Sequence, residues 1–299
     1  MIHNITETKS VAEGHATHKE KERIIPTEST LIQGDALEAL MLLPSNFFQT
    51  CVTSPPYWGT RDYGIKSQIG AEKELPEYIG TLTRIFAEVK RVLRDDGTLW
   101  LNLGDVYTSG DRGWRAPDKK HPIRAMKYRP DTPDGLKPKD LIGLPWRVAF
   151  SLQDSGWYLR DDIIWEKPNA MPESVKDRPT RSHEYVFLFS KSERYYFDSR
   201  AIAEKSSAGV RNRRSVWRIN TTPAKSNHLA PYPRELPERC ILAGSSVGSW
   251  VLDPFFGSGT TGHACEQTNR KYVGIELHSD YAKHSAETLW ASLGDFRIL

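Results

Sequence analysis

Residues 250–261 read Trp250-Val-Leu-Asp253-Pro-Phe-Phe-Gly257-Ser-Gly259-Thr-Thr261. A short apolar strand runs into an aspartate and a glycine turn, and the pattern predicts a helix over 260–268. Glycines at 257 and 259 let the backbone approach a ligand closely, and the start of the helix presents free N–H groups. A second strand is expected at 271–275, ending in Glu276. An acidic residue about 20 positions after a glycine turn, at the end of the next strand, is placed to bind ribose hydroxyls. A lone Gly-x-Gly says little. Strand, Asp253, Gly257-x-Gly259, helix, strand and Glu276 in succession are far more specific.

The second informative stretch lies about 200 residues earlier, Thr53-Ser54-Pro55-Pro56-Tyr57-Trp58. It follows an apolar run over 47–52 that reads as a buried parallel strand. Two prolines end the strand; they fix φ and lack N–H groups, which leaves their carbonyls free to face a ligand. A hydroxyl just before them and two large rings just after suit a planar, amine-bearing group such as a nucleobase. Taken alone, the stretch also describes an ordinary strand-ending turn with surface aromatics.

Taken together, Ser54-Pro-Pro-Tyr57 and Asp253-Pro-Phe-Phe-Gly-Ser-Gly-Thr-Thr261 resemble the amino-methylating DNA methyltransferases, the N4-cytosine and N6-adenine enzymes that use S-adenosylmethionine (SAM). The catalytic motif precedes the cofactor motif, as in the circularly permuted β group, and the resemblance runs from about residue 31 to about 293. It implies an α/β architecture, a doubly wound, mostly parallel seven-stranded sheet of the Rossmann-like SAM-dependent methyltransferase type. In that family the position of Ser54 holds Asp, Asn or Ser. Serine is typical of N4-cytosine enzymes and aspartate of most adenine enzymes. The resemblance therefore implies N4-cytosine methylation, with N6-adenine methylation as the alternative. A methylase of protein or RNA amines is a more distant one.

Composition agrees with a globular, non-membrane chain. Of 299 residues, 26% are charged and 38% hydrophobic, with no apolar run long enough to span a bilayer. The first residues lack the apolar core of a secretion signal, so a cytoplasmic location is expected. Cys51, Cys240 and Cys265 are widely spaced beside apolar segments, which predicts buried free thiols and no metal site. The net charge is only +3, but it is unevenly spread. Residues 110–140 hold nine Lys/Arg against five Asp, and residues 199–225 hold seven against one Glu. Such concentration of positive charge without an apolar pattern is a phosphate-contacting signature, although a solvated loop has the same look.

Read in order, residues 1–29 form a polar tail expected to be mobile. Residues 30–198 form the catalytic half, including a long basic loop at 110–140 expected to close on DNA. Residues 199–225 are expected to recognise the target, and residues 226–299 form the SAM-binding half. Asp35 reads as a helix cap, and the resemblance puts a Gly-Asp of this kind beside the cofactor adenine. The sequence Trp165-Glu-Lys-Pro-Asn169, followed by Arg181-Ser-His183-Glu184, resembles the wall of the base pocket. Strands are further expected at 98–103, after an Asp96-Gly97 turn, at 157–165 and at 183–190, with 195–197 pairing antiparallel to the last.

The resemblance implies that Asp35, Asp253, Phe255, Gly257, Gly259, Thr260 and Glu276 bind SAM, and that Ser54, Pro55, Pro56 and Tyr57 act on the base. The target must leave the duplex for its amine to be reached. Tyr57 would stack on it while Ser54 Oγ and the Pro55 carbonyl accept from the NH2 group. Arg211, Arg213, Arg214 and Arg218 suit base readout, because arginine is bidentate to guanine O6 and N7. Double-stranded DNA is the expected partner, for a monomer or homodimer. The layout resembles stand-alone restriction–modification methylases, including the group protecting palindromes such as CCCGGG. Such an enzyme shares its site with a restriction endonuclease without forming a stable complex.

Overall fold

The two apolar stretches that end in the quoted motifs become neighbouring strands at the centre of one sheet. The computed structural model describes residues 2–4, 23–65, 68–110, 129–207, 209–222 and 231–290. In chain order its first elements are β1 (Ile2–Asn4), β2 (Thr30–Gln33), α1 (Ala36–Leu42), β3 (Phe48–Thr53), α2 (Leu75–Val92) and β4 (Leu93–Leu103). They are followed by α3 (Leu144–Asp154), β5 (Tyr158–Glu166), β6 (His183–Ser190), β7 (Glu204–Ser206), β8 (Gly209–Arg211) and β9 (Val216–Arg218). The chain then forms α4 (Glu235–Gly244), β10 (Trp250–Asp253), α5 (Thr260–Gln267), β11 (Lys271–Glu276) and α6 (Ser279–Trp290).

The main sheet has the order β1-β2-β11-β10-β3-β4-β6-β5-β9, and β7 and β8 form a separate hairpin. Every pairing in the main sheet is parallel except those of β6 with β4 and β5. The seven strands from β2 to β5 are the expected doubly wound core. Two three-residue strands, β1 and β9, extend it at the edges. Strands from the end of the chain, β10 and β11, are inserted between β2 and β3, which is the permuted order that the motifs imply. Helices α1, α2 and α3 bury one face of the sheet, and α4, α5 and α6 the other. The central β3 is consequently buried at all six positions. The succession β3–α2–β4 forms because Tyr78, Leu82, Ile85, Phe86, Val89 and Val92 make one buried stripe on α2 at helical spacing.

Four local expectations change. The N-terminal region is not wholly a tail: β1 pairs with β2, the Ile24 N–H donates to Leu42 O (2.9 Å), and the Tyr272 N–H donates to Ser29 Oγ (3.3 Å). Residues 5–22 lie outside the described residues. Asp96-Gly97 makes no turn; β4 runs through it, and the register with β3 shifts between Phe48 and Thr50. Residues 195–197 do not pair with β6, because β4 and β5 already occupy both of its edges; Phe197 instead stacks on Trp100. The 199–225 segment is not only a recognition loop, since β9 joins the sheet beside β5 and buries Trp217 against Trp100.

Candidate active site

Because β3 and β10 are adjacent and parallel, their C-terminal ends bring together two motifs separated by 200 residues. Asp253, 2% exposed, ties them. Its Oδ1 accepts from Thr53 Oγ1 (2.6 Å) and the Phe255 N–H (3.1 Å). Its Oδ2 accepts from Thr261 Oγ1 (2.5 Å) and Tyr232 OH (3.3 Å). Burial pushes this carboxyl above the usual range, and the four donors pull it back. With partners from both motifs around it at 2% exposure, Asp253 is a buried tie between the two loops.

On the β3 side, Ser54 is half-buried and its Oγ lies 3.3 Å from Tyr57 OH. The Tyr57 hydroxyl donates to Glu184 Oε2 (3.0 Å), and Asn102 Oδ1 is 3.4 Å away. Asn102 Nδ2 donates to Glu184 Oε2 (3.1 Å) and to Tyr185 O (3.0 Å). Lys167 forms an ion pair with Glu184 and lies 4.2 Å over the Trp165 ring. Gly104 makes room for this cluster, as a Cβ there would come 2.7 Å from Tyr57 Cε2. Burial and the charge of Glu184 push the Tyr57 phenol well above its ordinary range. Two expectations for this loop change. The Pro56 carbonyl is taken by Tyr78 OH (2.9 Å) and is not free for a ligand. Trp58 is a core residue whose Nε1 donates to Glu72 O, and it offers no stacking face.

On the β10 side, Gly257 and Gly259 take positive φ (54° and 79°), as the turn into α5 requires. The Gly257 N–H donates to Glu276 Oε2 (2.8 Å), and the His278 N–H donates to Oε1 (2.8 Å). Desolvation pushes the Glu276 carboxyl up to about 6, against the pull of those donors. Thr260 opens α5, with its Oγ1 3.4 Å from Ser258 Oγ. Phe255 stays partly buried against Phe86, whereas Phe256 is buried and stacked on Tyr272. Gly274 is what admits the Phe256 ring, since a Cβ there would lie 2.4 Å from it. Asp35 caps α1 through the N–H groups of Leu37 (2.9 Å) and Glu38 (3.1 Å). It follows Gly34, whose N–H donates to Glu276 O (2.9 Å), so Asp35 and Glu276 leave the sheet side by side. The loop after Trp58 reaches the same place: Tyr63 packs edge-on against Tyr281, and its phenol feels the charges of Arg61 and Glu276.

The four arginines divide. Arg211 pairs with Glu204 across the β7–β8 hairpin (2.8 Å). Arg213 is turned inward, its Nε donating to Ile202 O (2.7 Å), so it braces the hairpin and presents little to a partner. Arg214 is exposed, and Arg218 is 73% exposed with Glu166 3.6 Å away. Arg218 also lines a cleft of about 790 Å³ with Pro168, Asn220, Thr222, Arg234 and Glu235. Residues 111–128 of the first basic loop, and the stretch 223–230, lie outside the described residues.

Asn102 escaped assignment from sequence, and Glu184 was legible only as a member of the quoted pocket-wall motif. Asn102 leaves one trace, as the polar residue within the apolar run of residues 99–103. His183 and Glu184 stand together in the quoted stretch, and nothing in the sequence says which of the two faces Tyr57.

A family model described as DNA methylase matches residues 48–287. The Type II methyltransferase M.Cfr9I of Citrobacter freundii is 63% identical over 254 residues, covering 85% of both chains. Among solved structures, the PvuII DNA methyltransferase (cytosine-N4-specific) superposes with a TM-score of 0.66 at 22% identity, over 89% of this chain and 88% of its own. A protein of Thermus thermophilus assigned as a DNA modification methylase, in complex with SAM, superposes with a TM-score of 0.62. It is 26% identical and covers 90% of this chain and 96% of its own.

Proposed function

The chain belongs to the DNA methylase family, and from that premise we propose that it is a site-specific DNA methyltransferase acting on the exocyclic N4 amine of a cytosine in double-stranded DNA. The observation that supports this reading most is the half-buried Ser54 hydroxyl beside Tyr57, joined through Thr53 and Asp253 to the glycine loop. An amine acceptor and a nucleotide cradle then stand at the ends of two adjacent parallel strands.

The residues fit SAM. Gly257 and Gly259 have the positive φ of a close-approach turn, Glu276 offers carboxylate lone pairs to ribose hydroxyls, and Asp35 lies next to it. Phe255 and Thr260 complete the set. When bound, SAM supplies an electrophilic methyl group. The target cytosine leaves the duplex, since its amine is out of reach within the stack. Tyr57 offers a ring face to the base, and Ser54 Oγ with the Pro55 carbonyl accepts from the amine. Those acceptors make the nitrogen more tetrahedral and direct its lone pair. Alignment and a preorganised polar site provide the acceleration.

Binding of the cofactor should depend on pH through Glu276. Its raised pKa means that, without ligand, the stabilising protonated state is fully present below the ordinary value of 4.5 and is lost as pH rises through about 6. Ribose hydroxyls favour the ionised acceptor, so SAM affinity should fall as pH drops through about 6. Calorimetric titration from pH 8 to 5 should show that inflection, and Glu276→Gln should abolish it. A flat profile in the unsubstituted protein would remove Glu276 from the cofactor site.

Arg214 and Arg218 are the arginines best suited to read DNA, with Arg211 and Arg213 bracing the hairpin that precedes Arg214. Arg214→Ala and Arg218→Ala should each reduce discrimination between the cognate site and single-mismatch sites by about 1–3 kcal/mol. A uniform loss across sequences with a shallower salt slope would make them phosphate contacts instead.

The resemblance favours a CCCGGG-type palindrome and a protective role against an endonuclease cutting the same site. The deciding experiment is nucleoside mass spectrometry of DNA from cells expressing the protein, followed by methylation mapping. N4-methylcytosine at one palindrome is expected. N6-methyladenine would transfer the enzyme to the adenine class, and the absence of both modified bases would overturn the DNA reading.

A further inference from the structure

The cluster behind Ser54 has a direction. Glu184 is an acceptor with three donors around it, Lys167 Nζ on Oε1 and Asn102 Nδ2 and Tyr57 OH on Oε2. The Asn102 amide cannot turn over, because its Nδ2 also donates to the Tyr185 carbonyl (3.0 Å). Tyr57 has one hydroxyl proton. Of its two acceptors, the carboxylate is nearer at 3.0 Å than Asn102 Oδ1 at 3.4 Å, and a bond to an ion-paired carboxylate is the stronger. With that proton committed to Glu184, Tyr57 can meet Ser54 Oγ only as an acceptor. The Ser54 proton therefore points inward to Tyr57 (3.3 Å), and the Ser54 lone pairs are left facing out of the cluster.

We propose that Glu184 is a positioning residue which, through Tyr57, sets the direction of the Ser54 hydroxyl so that Ser54 acts as an acceptor for the target amine. The inference rests on the reading of Ser54 given above. A serine hydroxyl can donate or accept, and a donor aimed at the amine nitrogen would occupy the lone pair that must attack the methyl group. Serine needs such an external constraint, because it lacks the fixed acceptor oxygen of an Asn or Asp side chain. Lys167, stacked over Trp165, keeps the carboxylate ion-paired and in place. Glu184→Gln is nearly isosteric, but its amide can donate to Tyr57 and allow the whole chain of protons to reverse.

The test is a double-mutant cycle read in single-turnover methylation of duplex DNA, with SAM affinity and thermal midpoint measured alongside. Glu184→Gln should lower the methyl-transfer rate about tenfold or more, with SAM affinity within about twofold of the unsubstituted protein. In a Ser54→Ala background, the same change should cost less than about twofold, because no hydroxyl remains to be directed. Tyr57→Phe, which keeps the ring and removes the relay, should be equally insensitive to Glu184→Gln; it serves as the second background should Ser54→Ala be too slow to measure. An unchanged rate in Glu184→Gln would overturn the proposal, and so would the same fractional loss in all three backgrounds. If Ser54→Ala itself turned over at the full rate, the amine-acceptor reading of Ser54 would fail first, and the cycle would show that separately.

Discussion

Ser54→Ala should reduce methyl transfer by a factor of about 100 or more while SAM affinity stays within about twofold. The size follows from where the hydroxyl sits. Ser54 is half-buried at the mouth of a cluster whose other polar atoms, on Tyr57, Asn102, Glu184 and Lys167, already bond one another. Removing Oγ leaves the amine with the Pro55 carbonyl alone on that side. A preorganised acceptor in a water-poor site is worth several kcal/mol at the transition state, in the range of about 3–4 kcal/mol for one lost donor or acceptor. The cofactor loop should be indifferent, since its contacts run through Gly257, Glu276 and His278 and none of them touches Ser54. Single-turnover kinetics and calorimetry on the same preparation separate the two effects. A parallel loss of SAM binding would refute the role given to Ser54.

Asp253→Ala should destabilise the protein by about 3 kcal/mol or more and weaken SAM binding with it. The carboxylate is surrounded by donors from both halves of the chain: Thr53 at the end of β3, Phe255 and Thr261 in the glycine motif, and Tyr232 before α4. Alanine strands these groups in a site that is 2% exposed, where an unmet donor costs about 1–3 kcal/mol. Thr261 and Tyr232 lie within hydrogen-bond reach of each other and can pair once the carboxylate is gone, so part of the loss is recoverable, and the sum of four penalties is an upper bound. Asp253→Asn keeps the shape but substitutes two donor hydrogens for an acceptor, so it should fall between alanine and the native residue. Urea unfolding and SAM titration are the readouts. An unfolding midpoint and an affinity both equal to the native values would mean that the loops do not depend on this tie.

The chemical content of the site was legible in the chain because it lies in two contiguous stretches. Ser54-Pro-Pro-Tyr57 and Asp253 to Thr261 each announce a strand end followed by a loop, and Glu276 falls at the end of the following strand. The parallel α/β class also follows from local pattern, since an apolar run of five or six residues bounded by a turn, alternating with amphipathic helices such as α2, has few other solutions. The sequence also establishes the permuted motif order, because order is a property of the chain itself.

Tertiary structure alone decided which atoms of those stretches are enclosed and which are left accessible. Asp253 and Glu276 are both carboxylates at strand ends, yet the first is enclosed by four donors and the second borders the glycine loop. Trp58 and Tyr57 are adjacent rings, yet one enters the core and the other meets Glu184, which stands 127 residues away. Arg213 and Arg214 are neighbours of like charge, and only the first is held inward by a backbone carbonyl. In each pair the residue types are equivalent to a reader of local sequence. The difference comes from partners on distant strands, and hydrogen-bond direction and burial are fixed only when those strands stand side by side.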